Sequence, residues 1–137
     1  MGSVERMKLL LDTHILLWSL IDPNQLSKRV ADELENPSNE LWLSPISTWE
    51  IILLAQKGRI VLDTDPEAWL HEVFRRIPFN EAVINHEVAI QSRILNLPHE
   101  DPADRFLAAT CVVYGLTLVT ADKRLMASTR FSVLPNE

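Results

Sequence analysis

Short unbroken apolar runs alternate along the chain with stretches whose apolar positions recur at helical spacing. "KLLLD" (8–12) is apolar between Lys8 and Asp12 and predicts a fully buried strand, followed by a short helix over "THILLWSLI". "DPNQLS" reads as a turn. Ser27 is placed to cap a helix "KRVADELEN" that must end before Pro37. "ELWLS" (40–44) predicts a second strand. Ser44 and Pro45 then open the helix "ISTWEIILLAQK", which stops at Gly58.

The second half repeats the alternation. Asp65 and Pro66 start a helix over 65–76, and "IPF" (77–79) has the composition of a short edge strand. Residues 80–95 carry apolar positions at 83, 84, 88, 90 and 94, which predicts a helix. "DPADRFLAATCVVYG" (101–115) predicts a helix closed by Gly115. "LTLVT" (116–120), "ADKRLMAS" and "FSVL" (131–134) follow as strand, short helix and strand. Strands separated by helices imply parallel crossovers, hence a three-layer α/β/α sandwich around a mainly parallel central sheet.

Length and composition narrow this picture. At 137 residues the chain suits one domain, expected over 7–135, and can bury roughly 70% of its unfolded surface without staples. "MGSVER" lacks a signal-peptide pattern, and Met7 can itself be a start, so residues 1–6 are expected to be an expression tag or disordered N-terminal residues. No segment reaches the roughly 20 apolar residues of a membrane span. The lone cysteine, Cys111, lies in an apolar helix and reads as an inert buried thiol, in keeping with a reducing cytoplasm. A net charge of −6 argues against a general nucleic-acid coat. It leaves room for local phosphate contacts from Arg75, Arg76, Arg93, Arg105, Lys123 and Arg124. With only three glycines there is no Gly-rich phosphate loop.

Four carboxylates stand out, each with a structural alternative. Asp12 and Asp122 sit just past predicted strands, where open parallel sheets place their ligands, but each is also positioned to cap the next helix. Glu50 completes a Ser-x-x-Glu capping pattern in "STWE". If Ser44 and Pro45 start that helix, however, Glu50 lies in its second turn among apolar neighbours, with no basic partner nearer than Lys57. Asp104 follows Asp101 by three residues, and the two can share one helix cap. Several carboxylates in one pocket raise each other's pKa unless a cation intervenes. An oxygen-only set selects Mg²⁺ or Mn²⁺ over zinc. His14, His71, His86 and His99 lack the close spacing of a zinc site, and only His14 is near enough in sequence to Asp12 to share a pocket.

"LLLDTH…W", the Ser-x-x-x-x-Trp-Glu-Ile pattern at Ser44–Ile51, "DPADRFLAAT" and "LVTADKRL" occur in an order and spacing that resembles a PIN-domain ribonuclease. More closely, they resemble the VapC-type toxins of bacterial toxin–antitoxin pairs, over Met7 to Leu134. The resemblance implies a PIN-like fold in which Asp12, Glu50, Asp104 and Asp122 line one pocket holding Mg²⁺ or Mn²⁺. It makes Asp101 a helix cap able to supply an outer contact and Thr120 a hydrogen-bonding orienter; His14 is left with an orienting or structural role. It also implies an RNA substrate, a VapB-type antitoxin whose tail covers the pocket, a homodimer and a cytoplasmic setting. "THILLWSLI" and "SKRVADELE", with Trp18 and Trp42 nearby, carry more large apolar residues than a small domain must bury and are expected to give part of the contact surface. The alternative, favoured for either tryptophan singly, is that it fills the core.

Two other readings fit less of the chain. A phosphatase of the haloacid dehalogenase type needs a second Asp where this chain has His14, and a receiver needs an acidic pair before its phosphoacceptor. A non-catalytic PIN-like module that binds RNA or protein would not need all four acids.

Overall fold

The computed structural model describes residues 6–98 and 100–137. Residues 1–5 of the expected tag, and His99, lie outside the described residues. Arg6 pairs with Glu40 at 3.1 Å. The elements run β1 (Lys8–Leu11), α1 (Thr13–Ile21), α2 (Lys28–Glu35), β2 (Glu40–Leu43), α3 (Pro45–Gln56), α4 (Pro66–Arg76), β3 (Asn80–Glu81), α5 (His86–Ile94), α6 (Pro102–Tyr114), β4 (Thr117–Thr120), α7 (Lys123–Met126) and β5 (Ser132–Pro135). A 3-10 turn at Pro23–Gln25 joins α1 to α2.

The sheet order is β3-β2-β1-β4-β5, and its pairings among the described residues are all parallel. Strand β1 is central. Leu9 and Leu11 point to one face, where Ile15, Leu16, Val30, Ile51, Leu70 and Val73 from α1 to α4 close over them. Leu10 points to the other face, against Leu107 and Cys111 of α6 and Leu125 of α7. Because side chains alternate along a strand, a run of three leucines serves both layers at once. The three-layer sandwich follows from that burial.

Local signals set most boundaries. Ser27, Ser44 and Asp65 each cap their helix by accepting a backbone N–H. Gly115 ends α6 in a left-handed conformation with φ 68°, a geometry that costs a residue without a Cβ least.

The segment 80–95 departs from the single helix expected. Asn80 and Glu81 pair with Trp42 and Leu43 as the edge strand β3, just beyond "IPF". Asn85 then caps α5 by accepting from Val88 N at 2.9 Å. Free donors and acceptors on the edge of β2 claim the start of the segment, shown by Ala82 N–H donating to Leu43 O at 2.9 Å. Pro78 has no N–H to offer a ladder, which moves the strand past it.

Leu10 is fully buried between the two layers. Leu10→Ala is expected to cost about 2–5 kcal/mol in urea unfolding, the range for a buried leucine whose site collapses only partly. A loss under about 1 kcal/mol would contradict the central position assigned to it.

Candidate active site

The chain leaves β1 towards β2 on one side of the sheet, while β4 lies on the other side. Chain order therefore reverses between β1 and β4, and such a switch point opens a crevice at the carboxyl ends of the strands. Asp12 follows β1 and Asp122 follows β4 at that crevice. A helix preceding a parallel strand runs opposite to it, so the start of α6, with Asp101 and Asp104, comes to the same edge. Asp12, His14, Trp18, Glu50, Asp101, Asp104, Asp122 and Arg124 line one cavity of about 400 Å³.

Two buried threonines hold the carboxylates. Thr120, at the end of β4, donates from Oγ1 to Asp12 Oδ2 at 2.7 Å and accepts from Asp122 N–H at 3.0 Å. One hydroxyl thus fixes the first acid and the backbone of the last. Thr13 donates from Oγ1 to Glu50 Oε1 at 2.5 Å and is hydrogen-bonded with Ser47 Oγ at 3.0 Å. Asp12 stands at the N-cap position of α1, but its side chain does not cap that helix. Ser44 caps α3, so Glu50 cannot complete a capping box with Ser47. Asp101 and Asp122 do serve helices. Asp101 accepts from Ala103 N and Asp104 N, and Asp122 accepts from Arg124 N at 2.8 Å.

Arg124 reaches into the acidic cluster. Its guanidinium lies 3.2 Å from Asp122 Oδ2 and 3.5 Å from Asp104 Oδ2. Burial raises Asp122, but the hydrogen bonds and charge of Arg124 outweigh it and hold the carboxyl below its ordinary value. The other three acids go the opposite way. Burial raises Asp12 despite the Thr120 hydroxyl and the charge of His14. Burial, with the charges of Asp12 and Asp101, raises Glu50 against the pull of Thr13. Asp104 is pushed up to about 7 by burial and by the charges of Asp101, Asp12 and Asp122, with Arg124 only partly offsetting them. Its place in the first turn of α6 favours the ionised form, but that favour is too small to win. Three carboxyls that resist ionisation around one cavity describe a site short of positive charge.

Among the described residues, no three acidic, histidine or cysteine side chains meet closely enough to hold a metal ion in this arrangement. Hydroxyls and Arg124 hold the carboxylates where they stand. The donor set itself, carboxylate oxygens at the end of a rigid sheet, is of the kind that hard divalent cations take.

The remaining expectations divide. His14 is exposed and packs against Trp18 with ring centroids 5.7 Å apart. Trp18 lines the cavity, and Trp42 packs against Tyr114 at 5.7 Å. The tryptophan that stands out to solvent is Trp49, 57% exposed. Arg105 is no phosphate ligand, because it is buried and donates to Ser92 O and Leu95 O, tying α6 to the end of α5. Arg75 and Arg76 pair with Glu72, and Arg93 with Glu100. Cys111 is buried and free, and burial pushes its thiol up. Thr13 carries no sequence expectation, and the sequence marks Ser47 only as the serine of a capping pattern rather than as the partner of Thr13.

The PIN domain pattern matches residues 9–131. The chain is 34% identical over 119 residues to Ribonuclease VapC22 of Mycobacterium tuberculosis, covering 85% of this chain and 88% of that protein. The chain belongs to the PIN-domain family, in its VapC group. Among solved structures, VapBC2 from Rickettsia felis bound to a DNA fragment from its promoter superposes with a TM-score of 0.70 at 16% identity, over 94% of this chain and 98% of that one. A toxin–antitoxin complex from Klebsiella pneumoniae gives 0.69 at 21% identity, with 94% and 98% covered. These two likenesses bear on the fold.

The raised acids set a pH dependence for the metal-free protein. Asp104 titrates at about 7 when folded and has an ordinary value of 3.8. Its favourable contribution is fully present below 3.8 and lost as pH rises through about 7. Asp12 and Glu50 shift in the same direction. Unfolding in EDTA should therefore show stability falling between about pH 4 and pH 7, and Asp104→Asn should flatten that fall. An unchanged pH profile in Asp104→Asn would contradict the charge crowding described.

Proposed function

We propose that this chain, as one domain over 7–135, is a metal-dependent ribonuclease acting as the toxin of a toxin–antitoxin pair. The observation that carries the reading is the cavity at the β1–β4 switch point, where burial and mutual repulsion raise Asp12, Glu50 and Asp104 together. The name of the M. tuberculosis relative and its identity to this chain support the ribonuclease assignment.

Asp12, Glu50, Asp104 and Asp122 would hold Mg²⁺ or Mn²⁺. A divalent cation bound there would supply an activated water near neutral pH and would screen the phosphate charge. The protein's own groups do the positioning. Thr120 restrains Asp12 through Oδ2 and Thr13 restrains Glu50 through Oε1, which lessens the ordering required when substrate arrives. Asp101 holds the first turn of α6 and with it Asp104. The buried Cys111, with its raised thiol, is unsuited to act as nucleophile, and no hydrogen bond joins a serine to a histidine among the described residues.

The VapBC and toxin–antitoxin complexes among the fold's neighbours support a VapB-type antitoxin as partner. A cavity with surplus carboxylates attracts a guanidinium, and an arginine on an antitoxin tail would meet the same acids that Arg124 meets here. Leu20 and Ile21, at the end of α1, are 42% and 48% exposed and support a contact surface on that helix for the partner or for a homodimer. Among the described residues no helix is long and apolar enough to cross a membrane, and a cytoplasmic setting is part of this reading.

Purified protein should cleave single-stranded RNA with Mg²⁺ or Mn²⁺ and stop in EDTA. Asp12→Asn should lower the rate about 10²-fold or more, the scale of losing one fixed electrostatic group in a site, with the fold retained by circular dichroism. Cleavage that persists in EDTA and vanishes with Cys111→Ser or His14→Ala would contradict the mechanism.

A further inference from the structure

A second cleft, of about 230 Å³, opens between the loop after α5 and the turn after α7. Asn96, Ser128, Thr129 and Arg130 line it, together with Arg124, which also lines the acidic cavity. The two clefts therefore share one lining residue, Arg124. Among the described residues no acidic side chain lines this second cleft, although the chain carries a net charge of −6.

Arg130 is the distinctive group. It is exposed, and its guanidinium makes no ion pair or hydrogen bond among the described residues. Its backbone N–H is tied to Ser128 Oγ at 3.2 Å, which shapes the turn that carries it. Most other arginines near the site are committed: Arg124 to Asp104 and Asp122, Arg93 to Glu100, Arg105 to the end of α5.

We propose that this cleft is a subsite for an RNA backbone phosphate next to the one cleaved, with Arg130 as its principal anion contact and Arg124 at the junction. The inference rests on the ribonuclease reading. Every nucleotide of a single strand brings a phosphate, so a strand seated at the acidic cavity must run neighbouring phosphates over its rim. A carboxylate rim repels them, whereas the Arg124 side leads into a cleft with two cations and three neutral hydrogen-bonding side chains. Such groups are the ones that meet phosphate and sugar oxygens without reading sequence. The subsite thus sets the direction in which the strand leaves the site and contributes affinity that does not depend on the base.

The test measures binding of a fluorescein-labelled single-stranded RNA by anisotropy across a salt series. Asp12→Asn protein is used so that the probe is not cut. Adding Arg130→Gln should weaken binding several-fold and make the slope of log K against log salt shallower by about 0.7, the value for one lost phosphate contact on a single strand. Arg59→Gln removes the same charge from the exposed turn after α3, at the sheet edge opposite the cavity, and should leave affinity and slope unchanged. Thermal unfolding of Arg130→Gln should match its parent, since the exposed side chain holds no other part of the fold. Equal affinity and slope with and without Arg130→Gln would overturn the subsite while leaving the ribonuclease reading intact. The subsite is likewise overturned if Arg130→Gln weakens binding of a poly-glutamate peptide but not of RNA, because the cleft would then serve an acidic protein segment. Failure of Asp12→Asn protein to bind RNA at any salt, with no cleavage by the parent chain, would overturn both.

Discussion

Burial of carboxylates gathered at one sheet edge, with their mutual repulsion added to it, is the constraint on which this site depends. Asp12, Glu50, Asp104 and Asp122 come from four separate places in the chain, and the fold brings them to a single cavity. Water would keep such groups apart and ionised. Here burial raises three of them, and one arginine lowers the fourth. Arg124 is exposed and its hold on Asp104 is loose at 3.5 Å, so it offsets only part of the charge. The packing around the cavity holds these carboxyls where ionisation is unfavourable for three of the four.

That packing is what a five-stranded parallel sheet supplies. Leu9, Leu10 and Leu11 anchor β1 in both layers, and Asp12 N–H donates to Val119 O at 3.0 Å, so the backbone of the first acid cannot retreat. Thr120 is buried completely and couples Asp12 to the backbone of Asp122 across the switch point. Removing freedom from the carboxylates in advance is the structural counterpart of their unfavourable ionisation.

Much of this arrangement is legible in the order of residues alone. Strand ends are visible as an apolar run meeting Asp, which places Asp12 and Asp122. Ser44 followed by Pro45 fixes the start of α3 and thereby moves Glu50 out of the capping position. What stays hidden depends on tertiary partners. The segment 80–95 has helical spacing, but the open edge of β2 takes Asn80 and Glu81 into the sheet, and sequence spacing does not register an open edge. Arg105 has the look of a surface cation, yet carbonyls at the end of α5 draw its guanidinium into the interior. Thr13 and Ser47 matter through a contact 34 residues apart, which no local pattern announces.

The central claim is that the unfavourable ionisation in the cavity is relieved by a divalent cation. Titration calorimetry of Mn²⁺ into the metal-free protein tests it directly when run near pH 6.5 in buffers of different ionisation enthalpy. The claim predicts binding accompanied by proton release, because Asp104, with a pKa of about 7, must give up its proton to make room for the ion. Release should diminish at pH 8 and in Asp104→Asn. Absence of binding, or binding without proton release at pH 6.5, would contradict it.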